Sequence, residues 1–169
     1  YVFTEKDWCG DNVEGYGGAW TEENISKNRD IAYAMAKANT EKMIYKAAEE
    51  DGNFEAISIN PLHVIGPLMS DNHNQFFSWQ FFIGQLLKGL DFGYWKERQL
   101  RGSTMLWNMV DVRDVARAHR LGTESPNAKN GSRYILSATD RSGEMFTWEL
   151  QAKLKELFPE IENMGGEEM

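Results

Sequence analysis

The sequence predicts a mixed α/β protein built on a doubly wound parallel sheet. Helical periodicity over residues 30–50 is followed closely by a strand-like run at 54–59, and a helix that returns promptly to a strand is the repeating unit of such sheets. The chain has 169 residues, of which 41% are hydrophobic. That is enough to bury the core of one domain of ordinary size.

The helix predicted over residues 30–50 has a clear start and stop. Asp30 offers an N-cap carboxylate, and Gly52 supplies the glycine that commonly follows a helix. The apolar side of this helix is expected to contain Ala32, Met35, Ala36, Met43, Ala47 and Ala48. The acidic residues 5–24 before it contain several glycines, which predicts a long loop.

The middle of the chain predicts a buried helix, a loop and an amphipathic helix. Residues 74–90 are apolar nearly all round, which indicates a helix enclosed on every side, and residues 91–107 are typical of a loop. Asp111 is expected to cap the next helix, with Asp114 as a second carboxylate in its first turn. The apolar side of that helix is expected to contain Val112, Val115, Ala116 and His119.

The last third of the chain predicts one strand and one helix. Residues 133–137 are typical of a short buried strand. Thr147 is expected to cap the final helix, and Pro159 to stop it. The apolar stripe of this helix is expected to contain Leu150, Leu154, Leu157 and Phe158.

The charge balance excludes several classes of partner. The 18 Lys+Arg and 26 Asp+Glu residues leave a net charge of −8, whereas nucleic acids and anionic membranes require a basic face.

The single cysteine, Cys9, cannot form an intrachain disulfide, which favours a reducing compartment such as the cytoplasm. No apolar run approaches the ~18 residues of a membrane-spanning helix. The three histidines, His63, His73 and His119, lack the spacing of a metal site.

A tyrosine and a lysine stand four residues apart on the first predicted helix, in Tyr33-Ala-Met-Ala-Lys37, so both lie on one face. A lysine charge about 4–6 Å away lowers the pKa of a tyrosine from ~10 towards neutrality. Such a phenol can donate a proton to a carbonyl oxygen, or accept it in the reverse reaction. The alternative is a surface pair that stabilises the helix slightly.

A proline-containing segment, residues 60–67 (NPLHVIGP), directly follows the first predicted strand. Ligands of open α/β sheets bind just outside the carboxyl ends of the strands. Pro61 fixes the backbone there and leaves neighbouring backbone groups facing the crevice. The segment is therefore a candidate binding site, and His63 within it a candidate substrate contact, with an ordinary strand-ending turn as the alternative.

Together with residues 109–119 (MVDVRDVARAH), these motifs resemble the C-terminal part of the extended short-chain dehydrogenases/reductases, in the NAD-dependent epimerase/dehydratase superfamily. Within that group the chain is most similar to the dihydroflavonol reductase and cinnamoyl-CoA reductase-like branch. Three elements agree in order and spacing. They are the Tyr-x-x-x-Lys helix with Glu41 four residues beyond the lysine, the N-P-x-x-V-x-G-P segment, and the V-D-V-R-D-V-A helix start.

The resemblance implies a role for individual residues. Tyr33 would be the general acid/base, and Lys37 would lower its pKa and hydrogen-bond the nicotinamide ribose. Pro61 and Val64 would line the nicotinamide pocket. The cofactor would be NADP(H) or NAD(H), with NADP(H) favoured only by analogy with the branch. Asp111 and Asp114 are interpreted as helix caps rather than as catalytic residues.

The resemblance also implies a division into domains. The Rossmann-type nucleotide-binding domain would comprise residues 1–67 and 108–139, and a small α/β substrate-binding domain residues 68–107 and 140–169. Neither the Gly-rich phosphate loop of the family nor its substrate-binding Ser or Thr occurs in this sequence, which begins at Tyr1 rather than at Met. We therefore expect a parent polypeptide with ~100–150 further N-terminal residues, and little activity from these residues alone.

The activity implied is NAD(P)H-dependent reduction of a ketone or aldehyde to an alcohol, with a small carbonyl or alcohol compound as the substrate. Two alternatives remain. One is a sugar-nucleotide epimerase or dehydratase of the same fold, and the other is a non-catalytic subunit that retains the fold. Homodimers through the helix that bears Tyr33 are common in such enzymes.

Overall fold

The computed structural model describes residues 4–10, 21–27, 29–70, 72, 83–84, 106–138 and 144–161. The predicted helix over 74–90 (apart from two helical residues at 83–84), most of the loop over 91–107 and the acidic tail lie outside these ranges. In chain order the elements are α1 (Glu22–Lys27), α2 (Arg29–Asp51), β1 (Ile57–Pro61), β2 (His63–Ile65), β3 (Leu106–Asp111), α3 (Val112–Glu124), β4 (Ser132–Leu136), β5 (Glu144–Phe146) and α4 (Thr147–Leu157).

Helix α2 confirms the longest helix predicted from the sequence, with one correction at its start. It begins at Arg29, so Asp30 lies inside the first turn and does not cap it. It ends at Asp51, and Gly52 follows in the left-handed region with a φ of +69°. The N–H of Gly52 donates to the carbonyl oxygen of Ala48 at 3.0 Å, which satisfies one of the last carbonyls of the helix.

The apolar side predicted for α2 is partly wrong. Ala36, Met43 and Ala47 are exposed, Met43 to 71%. Ala38 and Ala48 are buried, and the half-buried residues beside them are Ile31, Ala32, Ala34, Met35, Glu41 and Tyr45. The inward side therefore includes a carboxylate and a phenol. These two are enclosed because they are hydrogen-bonded, which periodicity of apolar residues cannot reveal.

The first predicted strand is observed three residues later than expected, as β1. The residues before it are held by the loop that precedes β4. The N–H of Ala56 donates to Asn130 Oδ1 at 2.9 Å, and the N–H of Gly131 donates to the carbonyl oxygen of Ala56 at 2.9 Å. The loop predicted over 5–24 is also too long, since α1 begins at Glu22.

The strands form two small sheets. β1 pairs with β4, and the second sheet has the order β2-β3-β5. Within it β2 and β3 are parallel, with Val64 opposite Val110, whereas β3 and β5 are antiparallel. Met109 and Val110 on β3 are both 6% exposed and form its core. β4 is less buried than predicted, because Tyr134 and Ile135 are 37% and 39% exposed.

Helix α3 begins directly after β3, and Asp111 is its N-cap as predicted. The N–H of Arg113 donates to Asp111 Oδ1 at 2.8 Å. The predicted apolar side of α3 is wrong for Val112, Ala116 and His119, which are exposed. Its half-buried side contains Val115, Ala118 and Gly122, and a side chain at Gly122 would collide with Ile57 Cδ1 on β1. A glycine is needed where α3 approaches β1 this closely.

Helix α4 confirms the last predicted helix and half of its stripe. It begins at Thr147, so Thr147 lies inside the first turn and does not cap it as predicted. Leu150 and Leu154 are 6% and 8% exposed, whereas Leu157 and Phe158 are 59% and 40% exposed. The helix ends at Leu157, just before Pro159. Leu157 is the last residue of the helix and Phe158 follows it, so the buried face is formed by Leu150 and Leu154.

The chain divides into two compact units. The first contains residues 1–60 and 118–135, and the second contains residues 61–117 and 136–169. The assignment of nucleotide-binding and substrate-binding domains made above stays a prediction. No helix among the described residues is long and apolar enough to cross a membrane.

Candidate active site

Tyr33 and Lys37 lie one turn apart on α2, in the first unit. Both side chains are exposed, Tyr33 to 67%. Within the described residues neither makes a side-chain hydrogen bond or ion pair. The helix therefore presents a phenol and an ammonium on one face, as the sequence predicts, and leaves both groups open to a ligand. Their catalytic role stays a prediction.

The turn of α2 beyond Lys37 is tied to β4 by an ion pair. Arg133 Nε donates to Glu41 Oε1 at 2.7 Å, and Arg133 Nη2 approaches Glu41 Oε2 at 3.4 Å. The two side chains are only 15% and 13% exposed. This fork-to-fork arrangement is the strongest geometry available to an arginine and a carboxylate.

Tyr45, one turn further along α2, completes a polar cluster around Glu41. Its hydroxyl lies 2.9 Å from Glu41 Oε1 and also contacts Ser58 Oγ on β1. Burial raises the pKa of Glu41, but the hydrogen bonds from Arg133, Ser58 and Tyr45 outweigh it, and the pKa falls below its ordinary value. Burial raises the pKa of Tyr45, and the neighbouring Glu41 carboxylate raises it further. Tyr45 thus stays a neutral donor.

Arg133 also holds the chain segment 4–10. Its Nη1 donates to the carbonyl oxygens of Glu5 at 2.6 Å and Asp7 at 2.9 Å. The ring of Trp8 lies against the guanidinium, with Cζ 3.8 Å from the ring centroid, and Lys42 Nζ lies 4.6 Å from the same centroid. Two cations on one indole are a cation–π arrangement, and they fix Trp8 beside α2.

The segment that contains Pro61 and Val64 lies mainly in the second unit. Pro61 ends β1 and Val64 is the middle residue of β2, and both are half-buried. Between them Leu62 donates its N–H to the carbonyl oxygen of Leu136 at 3.0 Å. The predicted turn is therefore a single bend at Leu62 between two strands. Sequence analysis missed β2 because it has only three residues.

Gly66 ends this segment in a conformation that favours glycine. Its φ is +144°, and a Cβ added there would lie 2.6 Å from Val112 Cγ1. The backbone at the end of β2 can therefore approach the start of α3 only without a side chain. Gly66 fixes the course of the chain just beyond Val64.

Two polar side chains flank Pro61. Asn60 Nδ2 is buried and, within the described residues, has no hydrogen-bond partner. His63 is half-buried, and burial lowers its pKa, with a hydrogen bond to the backbone of Asn108 offsetting part of that effect. The imidazole of His63 and the amide of Asn60 therefore lie beside the candidate nicotinamide residues.

Asp111 is the N-cap of α3, and Asp114 lies in its first turn. Hydrogen bonds from the Arg113 side chain and backbone lower the pKa of Asp111 to about 2. Asp111 Oδ1 and Oδ2 accept from Arg113 Nε and Nη2 at 2.8 and 2.7 Å. A carboxylate used in this way caps α3 and stays ionised. Among the described residues, no group of three or more His, Cys, Asp or Glu side chains could hold a metal ion.

The cluster around Arg133 is the part of unit 1 that sequence reasoning missed. The sequence does carry a signal for it. Glu41 and Tyr45 continue the four-residue spacing of Tyr33 and Lys37, which places all four polar side chains along one side of the helix. The partner, Arg133, is 92 residues away from Glu41, and one sequence alone does not pair residues at that separation.

Comparison with known proteins decides the family. Residues 11–136 match the model of the NAD dependent epimerase/dehydratase family. The chain belongs to this family. Cinnamoyl-CoA reductase 1 of Arabidopsis thaliana is 31% identical over 142 residues, which are 83% of this chain and 36% of that protein. An uncharacterised oxidoreductase of Schizosaccharomyces pombe is 28% identical over 141 residues, 81% of this chain and 37% of that protein.

A solved relative has the same fold. The crystal structure of Gre2 in complex with NADPH from Candida albicans matches with a TM-score of 0.66 at 24% identity, covering 87% of this chain and 41% of that one. The chain thus spans between 36% and 41% of the length of these three relatives. The predictions of the family, of its cinnamoyl-CoA reductase-like branch and of a Rossmann-type α/β fold are confirmed.

Proposed function

We propose that this chain supplies the proton-transfer half of an NAD(P)H-dependent reductase that converts a ketone or aldehyde into an alcohol. Tyr33 is the general acid/base and Lys37 its electrostatic partner, and Pro61 and Val64 line the nicotinamide pocket. The observation that carries the proposal is the exposed Tyr33–Lys37 pair on one face of α2, in a chain of the epimerase/dehydratase family.

The residues present are suited to the nicotinamide end of the cofactor. An exposed ammonium at Lys37 is a donor for ribose hydroxyls. Asn60 Nδ2, which is buried and has no hydrogen-bond partner in the described part of the chain, is a donor for an amide oxygen. Burying an amide without a partner is costly, so a ligand that accepts from Asn60 would be favoured. When bound, the nicotinamide supplies the hydride.

The side chains of this chain handle the proton. Tyr33 donates its phenolic proton to the carbonyl oxygen, which becomes the alcohol hydroxyl, and in the reverse direction the phenolate accepts that proton. The ammonium of Lys37 stabilises the negative charge left on the phenol. Pro61 and Val64 are half-buried apolar residues, which suits them to cover one side of the nicotinamide ring.

A panel of aldehydes and ketones tests the proposal. The intact protein is supplied with NADPH and, separately, with NADH, and the loss of reduced cofactor and the formation of alcohol are measured together. We expect stoichiometric oxidation of one cofactor per alcohol formed, with NADPH preferred. Turnover of a nucleotide sugar without net change in cofactor would instead support the epimerase or dehydratase alternative. Absence of both activities from a folded protein would support a non-catalytic subunit.

We also propose that α2 pairs with its counterpart in a homodimer. Its outward face carries Ala36, Met43, Ile44 and Ala47, with Met43 71% and Ile44 49% exposed, and exposed apolar stripes of this kind mark interaction surfaces. Sedimentation of the intact protein should give a dimer, and Ile44→Glu should give a monomer. Lys46→Glu, on the same helix but in an exposed ion pair with Glu50, is the control. A wild-type monomer would contradict the proposal.

A further inference from the structure

Arg133 joins three separate stretches of the first unit. It is on β4, it grips Glu41 on α2 through two nitrogens, and it donates to two carbonyl oxygens in the segment 4–10. Trp8 covers the guanidinium face. An arginine can make in-plane forked bonds and stack at the same time, whereas a lysine offers a point charge. The arrangement therefore depends on this residue type.

Tyr33 and Lys37 lie in a part of α2 that packs through half-buried residues, namely Ile31, Ala32, Ala34 and Met35. Among the residues of α2 whose burial is described, the first buried one is Ala38. Glu41 comes one turn after Lys37 and two turns after Tyr33. Because an α-helix is stiff over this length, a rotation or shift of α2 at Glu41 is transmitted to both candidate catalytic side chains.

We propose that Arg133 is a positioning residue for the Tyr33–Lys37 pair: by holding Glu41 and the segment 4–10 together, it fixes the rotation and axial position of α2. The inference rests on the proposed function, because it explains how the Tyr33–Lys37 pair is held in position. It adds to that function a role for Arg133, which lies on a different element, β4. Arg133 acts through α2 and touches no reacting atom.

The variant Arg133→Lys in the intact protein tests the inference. It retains the charge but loses the forked grip on Glu41. The matched control is Arg120→Lys, since Arg120 pairs with Glu124 at 3.3 Å in an exposed pair of the same unit. We expect kcat to fall about 10- to 100-fold for Arg133→Lys and to stay at the wild-type value for Arg120→Lys.

A kinetic isotope effect separates positioning from loss of folded protein. With NADPH deuterated at C4 of the nicotinamide, misplacement of the proton donor slows the chemical step, so the isotope effect on kcat should rise. A purely structural role would reduce the active fraction and lower kcat while leaving the isotope effect and KM unchanged, and that result would overturn the inference. If Arg133→Lys does not fold, Glu41→Gln makes the same comparison while preserving side-chain shape.

Amide hydrogen exchange tests the anchor without relying on activity. Exchange of residues 29–40 should be faster in Arg133→Lys than in wild type, and unchanged in Arg120→Lys, because α2 then loses the contact at Glu41 that fixes the turns before it. Equal exchange in all three proteins would overturn the positioning role. If the wild type reduces no carbonyl compound, the proposed function fails, whereas this measurement still decides whether Arg133 holds α2.

Discussion

The two halves of α2 differ in what they do with their polar side chains. In the C-terminal half, Glu41 is 13% exposed and hydrogen-bonded to Arg133 and Tyr45. In the N-terminal half, Tyr33 is 67% exposed and, in the described part of the chain, makes no side-chain hydrogen bond. The polar side chains of the C-terminal half of α2 are thus hydrogen-bonded within the fold, whereas Tyr33 in the N-terminal half is exposed to solvent. A polar group that is hydrogen-bonded within the fold contributes to stability, and an exposed one can bind a ligand.

The two tyrosines of α2 give the sharpest test of this contrast, because one substitution applies to both. Tyr33→Phe removes the proposed proton donor, and we expect kcat/KM to fall about 10²- to 10⁴-fold. The free energy of unfolding should change by less than about 0.5 kcal/mol, since the side chain is exposed. Steady-state kinetics and urea unfolding of the intact protein measure the two effects.

Tyr45→Phe should lower the stability of the protein and leave its turnover nearly unchanged, the reverse of Tyr33→Phe. It leaves Glu41 and Ser58 without one of their buried partners, so unfolding should become easier by about 1–3 kcal/mol. Turnover per folded molecule should keep the same order of magnitude as that of wild type. If Tyr33→Phe retained wild-type turnover, the assignment of the general acid would be wrong, however stable the variant proved.

The largest expected effect on stability is at Arg133. Arg133→Met leaves Glu41 as a half-buried carboxylate without its cation, which we expect to cost about 3 kcal/mol, the lower end of the range for a fully buried pair. Lys46→Met breaks the ion pair with Glu50 on the same helix, where the side chains are 74% and 68% exposed, and should cost less than about 0.5 kcal/mol. Urea midpoints measure the difference. Equal losses in the free energy of unfolding would show that the Arg133–Glu41 pair stabilises the fold no more than the exposed Lys46–Glu50 pair does.

The same contrast explains which elements the sequence could predict. The end of α2 at Gly52 and the start of α3 at Asp111 follow from local chemistry, namely a left-handed glycine and an N-cap carboxylate, and both are confirmed. The buried side of α2 could not be predicted. Periodicity assigns apolar residues such as Met43 to the interior, whereas the interior position is taken by Glu41, whose partner lies far along the chain.

For the candidate site, spacing predicts that Tyr33 and Lys37 share a helix face, and α2 provides that helix. The turn predicted after the first strand is observed as a bend at Leu62, but the strand that follows it, β2, is too short to recognise from the sequence. Spacing could not indicate that Arg133 links α2 to the segment 4–10. That link depends on contacts of Arg133 with four residues distant in sequence, namely Glu5, Asp7, Trp8 and Glu41.

The pH dependence of the free energy of unfolding tests the hydrogen-bonded, C-terminal half of α2. It has the smallest expected effect of these tests, but it is specific to Glu41. The pKa of Glu41 is lowered in the folded protein from its ordinary value of 4.5. Its ionised form therefore stabilises the fold above pH 4.5, and this contribution is lost as the pH falls through the lowered folded value. Glu41→Gln should thus have a shallower decline of the free energy of unfolding below pH 4.5 than wild type.

The matched control is Glu50→Gln, which removes a carboxylate from the exposed pair with Lys46 on the same helix. Its decline should parallel that of wild type, since an exposed ion pair contributes little to the folded state. Unfolding in urea between pH 3 and 6 measures all three proteins, with the pH range set by the ordinary pKa of a carboxyl group, ~4.3. Parallel curves for Glu41→Gln and wild type would mean that Arg133 does not stabilise the ionised carboxylate, and the contrast between the two halves of α2 would then depend on packing alone.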